Sequence, residues 1–166
     1  MNRRVLVKIS GEGLAPAGGF GLCRETLERV TPEIKLLTES GFQVAIVIGR
    51  GNIVRGGKEA GRLNIKEPTA HHMGMLGTVI NALALRDTLE KLEQPTRVQS
   101  SVSVRSVCED YLYQRCIGHL EKGRVVIVAG GTGRPFVTTD TAAALVACEI
   151  GARILIKATQ VDGVYT

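Results

Sequence analysis

Three stretches of this chain place glycines, hydroxyls and charged side chains directly after an apolar run. In the longest, residues 129–144 read AGGTGRPFVTTDTAAA, follow a strand-like run at 125–128 and lead into a helix-like run at 141–150. Glycines let the backbone adopt positive φ and approach a ligand closely, and amides at a helix N-terminus attract anions. The stretch therefore favours phosphate binding, with Asp140 either capping the helix or holding a cation or a lysine beside a phosphate.

The other two stretches carry cations that would suit a phosphate. Residues 8–12 read KISGE and place Lys8 at the end of a strand-like run, where its flexible stem can bring a point charge to an anion. Residues 49–56 read GRGNIVRG and contain Arg50 and Arg55, whose guanidinium groups can grip phosphate oxygens in pairs. Together the three loops indicate a site for a phosphorylated small molecule.

The glycine spacing excludes two common nucleotide-binding motifs. Residues 49–56 follow the pattern G-x-G-x-x-x-x-G, which misses the dinucleotide fingerprint, and no clear ribose-binding acid stands at a following strand end. The P-loop pattern G-x-x-x-x-G-K-[ST] does not occur in the sequence. His71 and His72 point to different faces of a predicted helix and lack a third ligand at metal-site spacing, so we expect one of them to face the anion site instead.

Composition narrows the function classes further. The chain has 166 residues, enough for one domain, and a net charge of +5. Its basic residues are dispersed and it contains no Trp, so a nucleic-acid surface with interleaved aromatic residues is not expected. No apolar run reaches the roughly 18 to 20 residues that span a bilayer. The four cysteines form no CxxC pair and the N-terminus lacks a signal-peptide pattern, so we expect reduced thiols and a cytoplasmic protein.

Strand and helix patterns alternate along the chain, which predicts a mostly parallel sheet covered by helices on both faces. In such sheets ligands bind outside the carboxyl ends of the strands, where all three loops fall. The predicted strands cover residues 4–9, 42–48, 97–104, 125–128 and 153–157. The predicted helices cover residues 23–40, 69–92, 113–122 and 141–150. The helix at 69–92 is apolar on nearly all sides, which predicts burial against the core and against a partner subunit.

Taken together, the loops resemble the bacterial uridylate kinases of the amino acid kinase family. The matching pieces are residues 8–12, 48–56, 72–84, 129–144 and 157–165. The piece at 72–84, HMGMLGTVINALA, is specific to uridylate kinases, whereas the other pieces are shared more loosely with acetylglutamate, aspartate and carbamate kinases. The resemblance runs the full length of the chain.

The resemblance implies a three-layer α/β/α sandwich with a mostly parallel sheet, as one amino acid kinase domain over residues 1–166. It implies transfer of the γ-phosphoryl group of ATP to UMP with Mg²⁺, a homohexamer built as a trimer of dimers, and regulation by GTP and UTP. Members of the family are longer than this chain, so we expect a fragment with an incomplete sheet edge and exposed apolar surface.

The resemblance also implies roles for individual residues. Lys8, Arg55 and Asp140 would be catalytic, with Asp140 organising Lys8. ATP would be held by Lys8, Ile9, Ser10, Gly11, Gly51 and Arg55, with Thr159 and Tyr165 on the adenine side. UMP would be held by Arg50, His71, Thr132, Gly133, Arg134, Pro135, Phe136, Val137, Thr138 and Thr139. No side chain is assigned as a metal ligand.

Three positions on the acceptor side depart from the pattern of the family. Arg50 stands where the family usually has glycine, His71 where it has an aspartate that contacts the ribose, and Arg134 where it often has asparagine. These changes leave three interpretations open. The chain is a working uridylate kinase that tolerates them, a family enzyme with a different acceptor, or a non-catalytic nucleotide- or oxyanion-binding subunit on the same scaffold.

Overall fold

A computed structural model describes residues 3–54 and 56–158, which form one six-stranded sheet with helices around it. The strands are β1 (Arg4–Ile9), β2 (Gln43–Ile48), β3 (Thr96–Ser100), β4 (Glu109–Asp110), β5 (Val125–Ala129) and β6 (Ile154–Ala158). The helices are α1 (Arg24–Glu39), α2 (Gly56–Leu63), α3 (Glu67–Lys91), α4 (Tyr113–Leu120) and α5 (Thr139–Ile150), with a short 3₁₀ helix at Gly11–Leu14. The strand order is β4-β3-β5-β2-β1-β6, and every neighbouring pair is parallel.

The two faces of the sheet bury different residues of each strand, because successive side chains along a strand point to opposite sides. In β1, Val5, Val7 and Ile9 join the core beneath α1 and α3. Leu6 joins the core beneath α4 and α5. The predicted three-layer sandwich with a parallel sheet is therefore confirmed, and Lys8, which shares the side of Leu6, is directed towards α5.

Most predicted elements are found within one or two residues of their expected bounds, but the end of β3 differs. The alternating pattern predicted a strand over residues 97–104, whereas β3 ends at Ser100. There the Ser100 hydroxyl accepts a hydrogen bond from the Val102 amide, which gives the backbone a local partner in place of the sheet. Two short elements were not predicted at all, the two-residue strand β4 and the 3₁₀ helix after β1. Helix α2 overlaps residues 58–68, whose polar sequence left a loop or a short helix open.

Helix α3 buries one side of its surface, and its opposite side is exposed. Its inner side packs Val79, Leu85 and other apolar residues into the core beneath the sheet. On the outer side Met73, Leu76 and Ile80 are 36%, 45% and 49% exposed. The sequence predicted that α3 is buried on both sides. Within this chain its inner side is buried and its outer side is exposed.

Strand β6 lies at one edge of the described sheet and leaves apolar side chains uncovered. Ile154, Leu155 and Ile156 are 48%, 45% and 40% exposed, although the neighbouring strand, β1, is buried throughout. This agrees with the expected exposed apolar surface at one sheet edge. Among the described helices, none combines the length and hydrophobicity that crossing a bilayer requires.

The core beneath α3 provides the first test. Leu85 is fully buried, so Leu85→Ala leaves a cavity and is expected to lower the free energy of unfolding by about 2–5 kcal/mol. Leu36→Ala makes the same chemical change at a side chain that is 57% exposed and should cost less than about 0.5 kcal/mol. Urea denaturation of both variants measures the difference, and equal costs would contradict the assignment of α3 to the core.

Candidate functional site: a phosphate-binding edge of the sheet

The first and second loops come into close contact at the carboxyl ends of β1 and β2. A Cβ atom at Gly11 would lie 2.4 Å from Asn52 Oδ1 and 2.5 Å from the Gly51 nitrogen, closer than any side chain allows. Gly49 closes the same junction, since its amide donates to the carbonyl of Ile9 at 2.8 Å. Glycine is therefore needed here for space, and it brings the backbone amides of both loops to one edge.

A buried pair of asparagines fixes the second loop on α3. Asn52 and Asn81 are 1% and 0% exposed and exchange hydrogen bonds through their side-chain amides at 2.8 and 3.0 Å. Asn81 also donates to the carbonyl of Gly49, and Asn52 to that of Gly21. Because buried amides are costly unless they are paired, this network holds the loop in one arrangement.

The third loop is attached to α3 in a similar way. The amide of Gly130 donates to the Thr78 hydroxyl at 2.6 Å, and that hydroxyl donates to the carbonyl of Met75. Gly130, Gly131 and Gly133 all have positive φ, as the sequence predicted. Phe136 also has a positive φ of 66°, a conformation that is uncommon for a bulky residue.

Two lysines and one carboxylate form the charged centre of the site. The parallel register pairs Lys8 of β1 with Lys157 of β6, so the two side chains lie next to each other on the side of α5. Lys8 Nζ lies 2.9 Å from Asp140 Oδ1, and Lys157 Nζ lies 2.8 Å from Asp140 Oδ2. Of the two roles considered for Asp140, holding a lysine is the one observed, and it holds two.

Helix α5 begins beside this centre. Its N-cap is Thr138, whose hydroxyl accepts from the Thr141 amide at 3.2 Å, and Asp140 lies in the first turn. Hydrogen bonds from Lys157 and Lys8 hold the pKa of Asp140 below its usual value, against the opposing effect of burial. Asp140 is therefore ionised at neutral pH and balances part of the charge of the two lysines.

On the side of the site opposite the charged centre, Arg50 extends from the second loop to His71 of α3. Arg50 Nη2 lies 3.1 Å from His71 Nδ1, and the His71 ring contacts Phe136 with 4.8 Å between ring centroids. His72 instead bonds to the carbonyl of Pro68 on its own helix. Of the two histidines, His71 therefore faces the cavity formed by the loops, and His72 does not line it.

These elements enclose a cavity of about 330 Å³. It brings together ten of the predicted site residues and adds one, Glu12, that was not predicted. The lining residues are Lys8, Ser10, Gly11, Glu12, Arg50, Gly51, His71, Phe136, Val137, Thr138 and Thr139.

Other predicted residues lie elsewhere. The Ile9 side chain is buried in the core, so only its backbone reaches this edge of the sheet. Thr132, Gly133, Arg134 and Pro135 lie in the third loop but do not line the cavity. Arg55, Thr159 and Tyr165 lie outside the described residues, so their predicted roles stay predictions.

No role was predicted for Lys157 from the sequence, although it lies in the charged centre of the site. It stands one residue before the end of its strand, as Lys8 does in β1, and this equal position is the signal that could have identified it. Glu12 gave no comparable signal, because its place in the cavity depends on the unpredicted 3₁₀ helix.

Comparison with known proteins shows that the chain belongs to the amino acid kinase family, whose model matches residues 3–166. It is 54% identical over 164 residues to the uridylate kinase of Methylococcus capsulatus, covering 99% of this chain and 68% of that protein. It is also 54% identical to the uridylate kinase of Wolinella succinogenes, covering 98% of this chain and 67% of that protein. The chain thus spans about two thirds of the length of these relatives.

Solved structures agree with this assignment. The UMP kinase from Bacillus anthracis superimposes with a TM-score of 0.94 at 40% identity, covering 99% of this chain and 68% of that one. The UMP kinase from Ureaplasma parvum gives a TM-score of 0.92 at 32% identity and covers 99% and 73%. The fold implied by the sequence resemblance is therefore confirmed over nearly the whole chain.

Thr78 tests how the third loop is held. Thr78→Val keeps the shape of the side chain but leaves the buried amide of Gly130 without an acceptor, so we expect a loss of about 1–3 kcal/mol in the free energy of unfolding. Thr88→Val is the matched control, since its hydroxyl only donates to a carbonyl of its own helix. Urea denaturation should separate the two variants, and equal losses would contradict the proposed anchoring role.

The pKa of Asp140 provides a test by titration. Because the pKa is lowered in the folded protein, the ion pairs are present above the usual aspartate range and are lost as the pH falls through the lowered pKa. Lys157→Met and Lys8→Met should each move the pKa upwards, towards the ordinary value of about 3.9. The carboxyl-carbon NMR signal of Asp140 reports it, and an unchanged midpoint in both variants would disprove the shared contact.

Proposed function

We propose that this chain forms the phosphate-handling part of a uridylate kinase, which transfers the γ-phosphoryl group of ATP to UMP and yields UDP for pyrimidine nucleotide synthesis. The observation that carries the proposal is the Lys8–Asp140 pair at 2.9 Å, between two glycine loops on the edge of the sheet. The relatives named uridylate kinase, at 54% identity over nearly the whole chain, support the choice of acceptor.

The chemistry of the reaction fits these groups. Phosphoryl transfer through a loose transition state depends on positioning and charge neutralisation more than on a strong base. Lys8 would hold the charge on the transferred group, and Asp140 would orient Lys8. The amides of Ser10, Gly11 and Gly51 would hold the phosphates of ATP. We assign no general base.

The acceptor is proposed to bind on the other side of the cavity. Arg50 and His71 form one wall there, and Phe136, Val137, Thr138 and Thr139 form the next. Arg55, Thr132, Gly133, Arg134, Pro135, Thr159 and Tyr165 keep the roles that the resemblance implies, as proposals.

Mg²⁺ would supply charge neutralisation on the phosphates. Within the described residues no group of three or more His, Cys, Asp or Glu side chains could hold a metal ion. Asp140 is already engaged by two lysines. Mg²⁺ is therefore proposed as an ion carried by the phosphates of ATP.

Assembly and regulation are also proposals. The exposed apolar residues of α3 support subunit contacts in a homohexamer built as a trimer of dimers. A second cavity, of about 550 Å³, lies at the other sheet edge, and acids in its lining pair with its arginines: Glu90 with Arg97, Asp110 with Arg105 and Glu109 with Arg115. Regulation by GTP or UTP is proposed from the resemblance alone. A cytoplasmic location stays a prediction.

Asp140→Asn tests the catalytic assignment in the natural protein that contains this chain. The amide cannot neutralise Lys8 and Lys157, so we expect turnover to fall by about 10²- to 10³-fold with UMP binding retained. The measurement is coupled detection of ADP with ATP, Mg²⁺ and UMP, CMP or AMP, together with calorimetry of UMP binding. Glu28→Gln, which removes a carboxylate from the exposed ion pair with Arg24, is the control and should leave both unchanged.

Each outcome of this assay has one meaning. Turnover with UMP that Asp140→Asn leaves intact would show that Asp140 has no catalytic role. Binding of UMP without turnover in the unaltered protein would favour the non-catalytic binding subunit. Turnover with a different acceptor would identify another enzyme of the family.

A further inference from the structure

Arg50 is a half-buried cation that lines the same cavity as Glu12 but forms no ion pair within the described residues. Its one hydrogen bond among the described residues is to His71 Nδ1 at 3.1 Å, and no described carboxylate forms an ion pair with it. Burial alone lowers the pKa of the Arg50 guanidinium, and no neighbouring acid acts in the opposite direction. Lys8, the other cation of the same cavity, is by contrast paired with Asp140. An anion that enters the cavity would therefore pair with Arg50 and offset the cost of burying its charge.

The path of the Arg50 side chain is fixed by α3. A Cβ atom at Gly74 would lie 2.1 Å from both Cδ and Nε of Arg50, so the side chain crosses the helix in the space that this glycine leaves open. His71, one turn earlier on the same helix, is hydrogen-bonded to the guanidinium group. The stem and the end of the side chain are thus held at two points, and the remaining N–H donors line the cavity.

Donor chemistry determines the state of His71. Arginine only donates hydrogen bonds, so Nδ1 must be the acceptor and the ring proton must be on Nε2. Nε2 is buried 3.6 Å from Glu67 Oε1, beyond hydrogen-bond distance, and has no hydrogen-bond partner within the described part of the chain. A doubly protonated ring could not accept from Arg50 and would repel it. The arrangement therefore requires neutral His71.

We propose that Arg50 is a specificity-determining residue that binds phosphate oxygens of the acceptor nucleotide, and that His71 is the positioning residue that holds it there. The inference rests on the proposed function and names the group that recognises the acceptor. Phe136, which contacts His71, belongs to the loop proposed for the acceptor, whereas Lys8 and the loop amides serve the donor. Arg50 acts on acceptor affinity, because its bond to the phosphate is made before transfer begins and persists through it.

Arg50 variants test the assignment to the acceptor. In the natural protein, Arg50→Gln should raise the KM for UMP about 10- to 100-fold, the loss typical of a hydrogen bond to a charged group. The KM for ATP and kcat should stay within about threefold, since that interaction is equal in the ground and transition states. Arg50→Lys keeps the charge without the planar fork and should give an intermediate KM for UMP. Urea denaturation checks that each variant is folded.

His71→Asn and His71→Phe test the positioning role of His71. Asn presents an amide acceptor to Arg50, so the KM for UMP should stay near that of the unaltered protein. Phe keeps a ring against Phe136 but accepts no hydrogen bond. It should raise the KM for UMP while kcat stays within about threefold, as Arg50→Gln does.

The results distinguish this inference from the proposed function. An unaltered protein that neither binds nor phosphorylates UMP would overturn the proposed function. An active protein in which Arg50→Gln leaves the KM for UMP unchanged, or raises only the KM for ATP, would overturn the inference alone. A KM for UMP that His71→Phe leaves unchanged would overturn the positioning role of His71.

Discussion

Parallel pairing of β1 with β2 on one side and β6 on the other is the constraint on which the site depends. It places the ends of three strands at one edge, so that Lys8 meets Lys157 and Gly11 meets Gly51. A shift of one residue in either pairing would turn the side chains of a strand to the opposite face and separate the lysines from Asp140. The burial of β1 and β2 on both faces fixes the register between these two strands strongly.

Helix α3 fixes the positions of the loops relative to the sheet. Thr78 takes the amide of Gly130, and Asn81 takes the carbonyl of Gly49, both from buried positions. One turn before Thr78, the space left by Gly74 accommodates the Arg50 side chain. One rigid element thus sets three parts of the pocket, and the apolar residues on its inner side hold it against the sheet.

The sequence was informative where local chemistry determines structure. Glycines after apolar runs predicted the loops at the strand ends. The helix predicted from residue 141, with Asp140 as a possible cap, begins two residues earlier with Thr138 as its N-cap. The sequence was uninformative where partners are distant: the Asn52–Asn81 pair joins residues 29 apart, and Lys157 needed the register of β6. The strand predicted over residues 97–104 ended early, because one serine hydroxyl replaced a sheet partner, a choice that alternation of apolar residues cannot reveal.

The sharing of Asp140 between Lys8 and Lys157 makes the electrostatics of the pocket depend on the outermost described strand. β6 is hydrogen-bonded to one neighbour in the described sheet, and its apolar side chains are half exposed. Edge strands open locally at lower free energy than central ones. Each opening of β6 would withdraw Lys157 and leave Asp140 to Lys8 alone. Whatever covers the apolar face of β6 therefore also sets how much of the time the pocket has its full positive charge.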